Sequence, residues 1–466
     1  MKPLIAVLGA TGTGKSKLAV DLAVRFNGEI INGDAMQMYK GLPITTNQIP
    51  IEEREGIPHH LIACITLDQD PWRVGQFQKR CLKIIEEIRS RGKLPILVGG
   101  THYYTQSVLF HEQLVDEENG EGENADPEYD EAAEMEQWPI LKASTEEMLQ
   151  KLREVDPAMA EHWHPNERRK IRRSLHIYLQ TGRPASEIYT QQRMQLKSLL
   201  AKNDEHSLKE ASDADANAET GHLRFATLLF WVDSDREILQ QRLDDRVDAM
   251  IDHGLLSEAQ QMFDYLKQKE SQGLHVDRTR GVWVSIGFKE LDPYISALSS
   301  GETSSEKLDK LREECIESVK SATRQYSRSQ LKWIRGKLWN SLDVANAIDR
   351  LYILDSTNAN DWKNSVFFPA ERIADAFISG NSRPCPSEVS DVAKEFFETK
   401  TQKRRSISEI MEFKRKTCKM CNVVAVSEEQ WKIHVKGRRH KNAVKAAEKK
   451  AQREEYFKRV REPSDG

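Results

Sequence analysis

Within the first 23 residues a short apolar run, a glycine-rich loop and an amphipathic segment follow one another. Further apolar runs at 29–32, 94–98 and 224–232 carry the β-branched and aromatic residues of buried strands, and a Cys/His array lies near the end of the chain. Together these features predict an α/β protein: a P-loop parallel-sheet core with a helical insertion domain and a C-terminal C2H2-type zinc finger.

The first strand is Leu4-Ile5-Ala6-Val7-Leu8. Gly9-Ala10-Thr11-Gly12-Thr13-Gly14-Lys15-Ser16 follows and fits G-x-x-x-x-G-K-S, and residues 17–23 continue as a helix. Glycines let backbone N–H groups turn inward on an oxyanion, and the helix N-terminus adds partial positive charge. Thr11, Gly12, Thr13, Gly14, Lys15 and Ser16 are therefore the expected cradle of a di- or triphosphate, with Lys15 as point charge and the Ser16 hydroxyl facing Mg²⁺. The motif alone names neither the ligand nor its fate.

The second strand, 29–32, runs out into Gly33-Asp34. Residues just past the carboxyl end of a parallel strand face the ligand crevice, so Asp34 either looks at the phosphate site or caps a turn. His59 and His60 are adjacent, and neighbours point apart, so a hydrogen-bonded loop is expected there rather than a metal site. Residues 74–91 read as a helix with Phe77, Cys81, Ile84, Ile85 and Ile88 on one face. The strand at 94–98 ends in Gly99-Gly100-Thr101, where a P-loop NTPase usually carries an Asp for Mg²⁺. That weakens an ATPase or GTPase reading.

Residues 112–136 and 202–221 are polar and acidic, the compositions of a disordered insertion and a surface linker. Between them, Arg168-Arg169-Lys170-Ile171-Arg172-Arg173 opens a helix that continues to Thr181-Gly182; it is either a solvated face or a clamp on a nucleic-acid backbone. The helix at 236–250 holds Arg242 and Arg246 one turn apart, each able to reach a phosphate or to pair with Asp244, Asp245 or Asp248. Residues 285–290 turn into another helix, and 313–335 form a long one in which Thr323, Arg324, Gln325 and Tyr326 mix basic and aromatic character. Residues 355–392 lack a clear period and read as linker. Cys418-x₂-Cys421-x₁₂-His434-x₅-His440 has the spacing of a tetrahedral Zn²⁺ site, with Trp431 and Val435 for a small core and Lys436, Arg438, Arg439, Lys441 and Lys445 as a basic face. The expected segments are 1–110 and 201–350 for the two parts of the core, 111–200 for the insertion, 351–405 for a linker, and 406–461 for the finger and its basic helix.

With 466 residues and 38% hydrophobic composition the chain can build several domains. The net charge of −4 conceals an asymmetry: residues 401–466 carry nineteen Lys/Arg against nine Asp/Glu, leaving the rest at −14. A basic tail on an acidic body points to a polyanionic partner such as nucleic acid. Six cysteines in this length make no disulfide scaffold, and no apolar run reaches membrane-spanning length. A core strand starting at Leu4 leaves no room for a leader. The expected compartment is the cytoplasm, with a mitochondrial form only from a longer start; Lys403-Arg404-Arg405 and Lys414-Arg415-Lys416 are nuclear signals or RNA contacts.

Several pieces, taken in order, resemble the tRNA dimethylallyltransferases: Gly9 to Ser16, Asp34 to Asn47, Pro58-His59-His60-Leu61, Gly99 to Tyr104, Arg169 to Arg173, Arg242 to Arg246, Ser285 to Glu290, and Thr323 to Tyr326. The resemblance covers about residues 4–333, and the finger is similar to that of the eukaryotic branch. Ala35 stands where many relatives have Ser, and Ser329 where a basic residue is common. The resemblance implies dimethylallyl diphosphate as donor and, as acceptor, the exocyclic amine of the adenosine 3′ of a tRNA anticodon. It implies Asp34 as general base, with Thr101 and Arg246 as the other catalytic residues. Ala35, Met36, Gln37, Arg169, Lys170 and Arg173 would hold the tRNA anticodon stem-loop, Mg²⁺ would accompany the diphosphate, and a monomer is expected. Prenylation of a free adenine nucleotide, a kinase, or a non-catalytic RNA-binding protein are the competing readings.

Overall fold

A computed structural model describes residues 2–69, 71–111, 137–191, 194, 223–301, 304–402, 416–418, 420–421, 423–425 and 428–447. The chain divides into two compact units, Met1–Asp116 with Ser212–Gln402, and Glu117–Ala211 with Lys403–Gly466.

The first unit is a six-stranded sheet built from β1 (Pro3–Gly9), β2 (Gly28–Asn32), β3 (His59–His60), β4 (Leu94–Val98), β5 (Ala226–Asp233) and β6 (Leu351–Asp355). The order is β3-β2-β4-β1-β5-β6, and every pairing is parallel. Its helices of eight residues or more are α1 (Lys15–Arg25), α2 (Val74–Ser90), α3 (His102–Leu109), α4 (Arg236–Asp252), α5 (Leu255–Ser271), α6 (Phe288–Ser300), α7 (Ser305–Trp333), α8 (Phe368–Ser379) and α9 (Asp391–Gln402).

Side chains alternate across the sheet, and both faces are covered, which is why the strands read as unbroken apolar runs. Ile5, Val7, Ile30, Ile96, Phe230 and Leu354 pack with Leu18 and Leu22 of α1 and Ile373 and Phe377 of α8. Leu4, Ala6, Leu8, Ile31, Leu97 and Trp231 face the other way, onto Phe77 and Ile85 of α2 and Met262 of α5. The strand ends of β1, β2 and β4 converge because β1 lies beside β4, and β4 beside β2. That arrangement brings Gly9–Ser16, Asp34 and Thr101 to one edge of the sheet.

Three expectations need correction. The linker expected at 351–405 is core as far as Gln402, where the described residues stop: β6 pairs with β5 in register Leu229 with Leu351, and α8 covers one face of the sheet. Its strand has five residues and its helix twelve, too short for periodicity to stand out. His59 and His60 form an edge strand against Ile30 and Ile31, not a loop. They are hydrogen-bonded as expected, His59 Nδ1 with Ile57 O at 2.8 Å and His60 Nε2 with Glu29 Oε2 at 2.7 Å. The long helix begins at Ser305, ahead of residue 313. The acidic segments 112–136 and 202–221 lie outside the described residues.

In the second unit, helices Thr145–Val155, Pro157–His162 and Arg168–Thr181 pack through Met148, Leu149, Leu152, Ile171 and Leu175. Ser144 and Glu147 form a reciprocal capping box at the start of the first. Gly182, at φ 68°, ends the third. The same unit holds an antiparallel pair, Lys416–Cys418 with Val423–Ala425, followed by the helix Glu428–Lys436. Among the described residues no helix is long and apolar enough to cross a membrane.

Candidate active site and metal centre

Gly12 and Gly14 sit at φ 88° and 89°, a region that disfavours any residue with a Cβ. Gly14 is doubly constrained, since a Cβ there would come within 2.6 Å of the Trp362 ring. Trp362 lies just before α8 and donates its indole N–H to Asp21 Oδ2 at 2.9 Å, so the segment once expected to be linker braces the phosphate loop from behind. Thr13 Oγ1 and Lys15 Nζ both donate to Ala10 O, at 2.9 and 2.7 Å. Burial, and then the like charge of Arg246, bring Lys15 down to about 7, with Asp34 pulling the other way. Arg246 donates to Thr11 Oγ1 at 2.8 Å, and burial lowers it only to about 10, so it stays charged at neutral pH. Arg242, one turn earlier, is committed elsewhere: it donates to Ser356 O and Thr357 O at 2.8 and 2.6 Å. Of the two arginines it is thus Arg246 that bonds the phosphate loop. The acids suggested as their partners are engaged too: Asp244 with Arg324, Asp248 with Lys320, and Asp245 with Gln241.

Asp34 is held by its neighbours. Its Oδ1 accepts the Met36 N–H at 3.0 Å, and its own N–H donates to Asn32 Oδ1 at 3.0 Å. Burial raises its pKa above the ordinary carboxylate value; the Met36 amide and then the Lys15 charge oppose the rise. Ala35 N donates to Thr101 Oγ1 at 3.1 Å, and the Thr101 hydroxyl also hydrogen-bonds Tyr326. Gln37 Nε2 donates to Asn47 O at 3.0 Å. Asp34, Thr101, Lys15 and Arg246 thus lie near one another, with Ala35, Met36 and Gln37 half-buried beside Asp34.

The missing carboxylate after β4 has a steric reason. A Cβ on Gly99 would run into the Gly33 backbone, so the turns after β2 and β4 can meet only if this position is glycine. The acid of this crevice comes from the β2 turn instead, as Asp34.

Three further residues belong to the site, and of these only Tyr326 lies in a segment that the sequence singles out, Thr323 to Tyr326. Gln330 is 3% exposed; its Oε1 accepts the Thr11 N–H at 2.8 Å and its Nε2 donates to Gly100 O at 3.0 Å, tying the phosphate loop to the β4 turn. Tyr326, one turn earlier on α7, is pushed up by burial and by the Asp34 charge. Trp362 is the third. Tyr326 and Gln330 sit four residues apart on an amphipathic helix, a spacing that was visible, although nothing marked it as crevice rather than core.

In the second unit, Arg169 and Lys170 are exposed on the helix Arg168–Thr181. Lys170 pairs with Glu167 at 2.5 Å and lies 5.0 Å over the Trp163 ring. Arg173 is half-buried, with Nη1 3.3 Å from His176 Nδ1. Ile171, Ser174 and Leu175 face inward, so the basic residues divide between an open face and its margin.

The ligating atoms of Cys418, Cys421, His434 and His440 all lie within 4.8 Å of one another. Both sulfurs approach His440 Nδ1, at 3.4 and 3.5 Å, and His434 Nε2 is buried with no partner among the described residues. Two thiols, two imidazoles and an orphaned buried nitrogen fit a tetrahedral Zn²⁺. Lys436, Arg438, Arg439, Lys441 and Lys445 are all exposed beside it. At the phosphate loop, the hard oxygen donor suited to Mg²⁺ is the Ser16 hydroxyl, which makes no hydrogen bond among the described residues.

A family model described as IPP transferase matches residues 37–337. A second, a zinc finger of C2H2 type, matches residues 416–440. The chain is 35% identical to a tRNA dimethylallyltransferase of Schizosaccharomyces pombe, with 99% of both chains covered. It is 36% identical to that of Saccharomyces cerevisiae, over 98% of this chain and 95% of the relative. It is 31% identical to that of Homo sapiens, over 95% and 86%. A solved structure of a eukaryotic dimethylallyltransferase acting on tRNA superposes with a TM-score of 0.73 at 34% identity, covering 98% of this chain and 100% of the other.

Proposed function

The chain belongs to the IPP transferase family, among the tRNA dimethylallyltransferases, and from that premise we propose how its crevice works. It is a tRNA-modifying transferase. The donor is dimethylallyl diphosphate, and the acceptor is the N6 amine of the adenosine 3′ of the anticodon.

One observation carries this reading: two half-buried cations, Lys15 and Arg246, stand close to a half-buried carboxylate, Asp34. Burial and then the Arg246 charge depress Lys15, and an arriving diphosphate offsets both by favouring the charged form. The allylic C–O bond breaks as the N–C bond forms, with positive charge growing on the five-carbon unit and negative charge on the departing diphosphate. Loop amides, Lys15 and Arg246 are preorganised for that growing charge. Ser16 would hold Mg²⁺, which supplies further neutralisation of the diphosphate.

The adenine amine is a weak nucleophile because its lone pair is delocalised into the ring. Asp34 accepts its proton. A carboxylate with a raised pKa suits that task, since a general base works best with a pKa near the working pH. The Thr101 hydroxyl positions the bridging oxygen or the amine. The base must leave its stack to enter the crevice, and Ala35, Met36 and Gln37 line the entrance. Arg169, Lys170 and Arg173 grip the anticodon stem-loop by backbone and shape, and the finger adds a tethered second contact. A monomer working in the cytoplasm suffices for this scheme.

The test is incubation with unmodified tRNA, labelled dimethylallyl diphosphate and Mg²⁺. Label on the adenine N6, resistant to competition by AMP, supports the reading. Label on AMP, or consumption of ATP, would replace it.

A further inference from the structure

His102 is the first residue of α3, directly after Thr101. It is 5% exposed and stacks on Trp333, with ring centroids 5.3 Å apart and 26° between the planes. Both of its ring nitrogens are buried without a hydrogen-bond partner among the described residues. Buried imidazoles almost always give or take at least one hydrogen bond, and an orphaned pair of nitrogens asks for a partner from outside the chain.

Where that partner comes from follows from the surroundings. The neighbouring residue, Thr101, faces the crevice beside Asp34. Trp333 stands one turn along α7 from Gln330, which bonds the phosphate loop itself. Burial, and then the charge of Lys15, hold the imidazole neutral with a pKa of about 3, which marks Lys15 as an electrostatic neighbour. A neutral imidazole offers one N–H donor and one acceptor nitrogen. Beside a lysine that itself lines an anion cradle, the complementary group is an oxyanion.

We infer that His102 is a further donor-binding residue, whose ring N–H hydrogen-bonds the diphosphate held in the phosphate loop. The inference rests on the reading that this crevice binds dimethylallyl diphosphate. The stack on Trp333 fixes the ring plane in advance, so little ordering is needed when the oxyanion arrives.

Two variants separate hydrogen bonding from packing. His102→Phe keeps the stack and removes both nitrogens, whereas His102→Asn keeps a donor and an acceptor. Titrating inorganic pyrophosphate with Mg²⁺ into each protein by calorimetry, we expect about tenfold weaker binding for Phe and a smaller loss for Asn. Affinity for tRNA stays unchanged in both. In the unsubstituted protein carrying ¹⁵N-labelled histidine, saturating pyrophosphate shifts the His102 ring resonances. Unchanged pyrophosphate affinity in a folded Phe variant, or unmoved ring resonances, would overturn the inference. If the unsubstituted protein binds no pyrophosphate at all, the donor reading falls and takes this role with it.

Discussion

Gln330→Ala offers a quantitative test of how the crevice is assembled. The side chain is 3% exposed and spans two turns of the sheet edge, accepting from Thr11 N and donating to Gly100 O. Truncation leaves the Thr11 amide without its partner and the Gly100 carbonyl with only the long bond from the Tyr326 hydroxyl, at 3.5 Å. Each costs about 1–3 kcal/mol when buried and dry, and about half of that if water reaches it. Removing the side chain vacates the space its amide filled, and the Thr11 end is only half-buried, so water can reach the freed groups. The expected loss in the first unit is therefore about 1–3 kcal/mol. Gln330→Glu keeps the shape but sets an acceptor against Gly100 O and a negative charge beside the cradle. Its stability loss is expected to match that of Ala, with pyrophosphate affinity lower still. Denaturant unfolding, combined with hydrogen exchange of the β1 and β4 amides, reads the stability, and calorimetry reads the affinity. A Gln330→Ala protein within about 0.5 kcal/mol of the unsubstituted chain would refute the claim that this residue ties the two turns.

Other outcomes follow from the same geometry. Arg246→Ala is expected to weaken pyrophosphate binding by about 10- to 100-fold, the loss of one charge-assisted hydrogen bond. Arg242→Ala should lower stability through its lost bonds to Ser356 and Thr357 and leave that affinity within about twofold; calorimetry on both separates their roles. Cys418→Ser, or removal of Zn²⁺ by a chelator, should weaken tRNA binding in a gel-shift assay while the rate at saturating tRNA holds, because a second tethered contact adds affinity rather than chemistry. Burial works to raise Glu29, but hydrogen bonds from Arg91, His60 and Lys93 outweigh it and bring its pKa down to about 2 from 4.5. Its contribution, about 3 kcal/mol at most, is fully present above pH 4.5 and is lost as pH falls toward 2. Glu29→Gln should flatten that part of an acid-unfolding curve measured by circular dichroism.

The parts of this molecule that could be read from sequence are those whose chemistry is local. The phosphate loop needs its glycines and lysine in one contiguous stretch, and the finger needs its four ligands at short fixed spacings. Asp34 was legible as a crevice residue because parallel strands deliver the residues after their carboxyl ends to one edge, whereas Thr101 came only with the resemblance. What was hidden depends on contacts between distant segments. β6 is five residues long, and its place in the sheet is decided by β5, more than a hundred residues earlier. Trp362 acts on Gly14 across 348 positions, and Gln330 on Thr11 across 319. No periodicity encodes such pairings. Arg242 and Arg246 were indistinguishable in the sequence because both sit on one helix face. The tertiary fold separates them, giving one to the carbonyls after β6 and the other to the phosphate loop.

Proton removal by Asp34 from an extruded adenine, opposite a diphosphate leaving group, is the claim on which the rest depends. Single-turnover transfer from labelled dimethylallyl diphosphate to pre-bound tRNA, compared between the unsubstituted protein and Asp34→Asn, addresses it directly. A rate lower by about 10²- to 10⁴-fold, with tRNA and pyrophosphate affinities retained, is the expected result. Transfer by Asp34→Asn at the unsubstituted rate would contradict it.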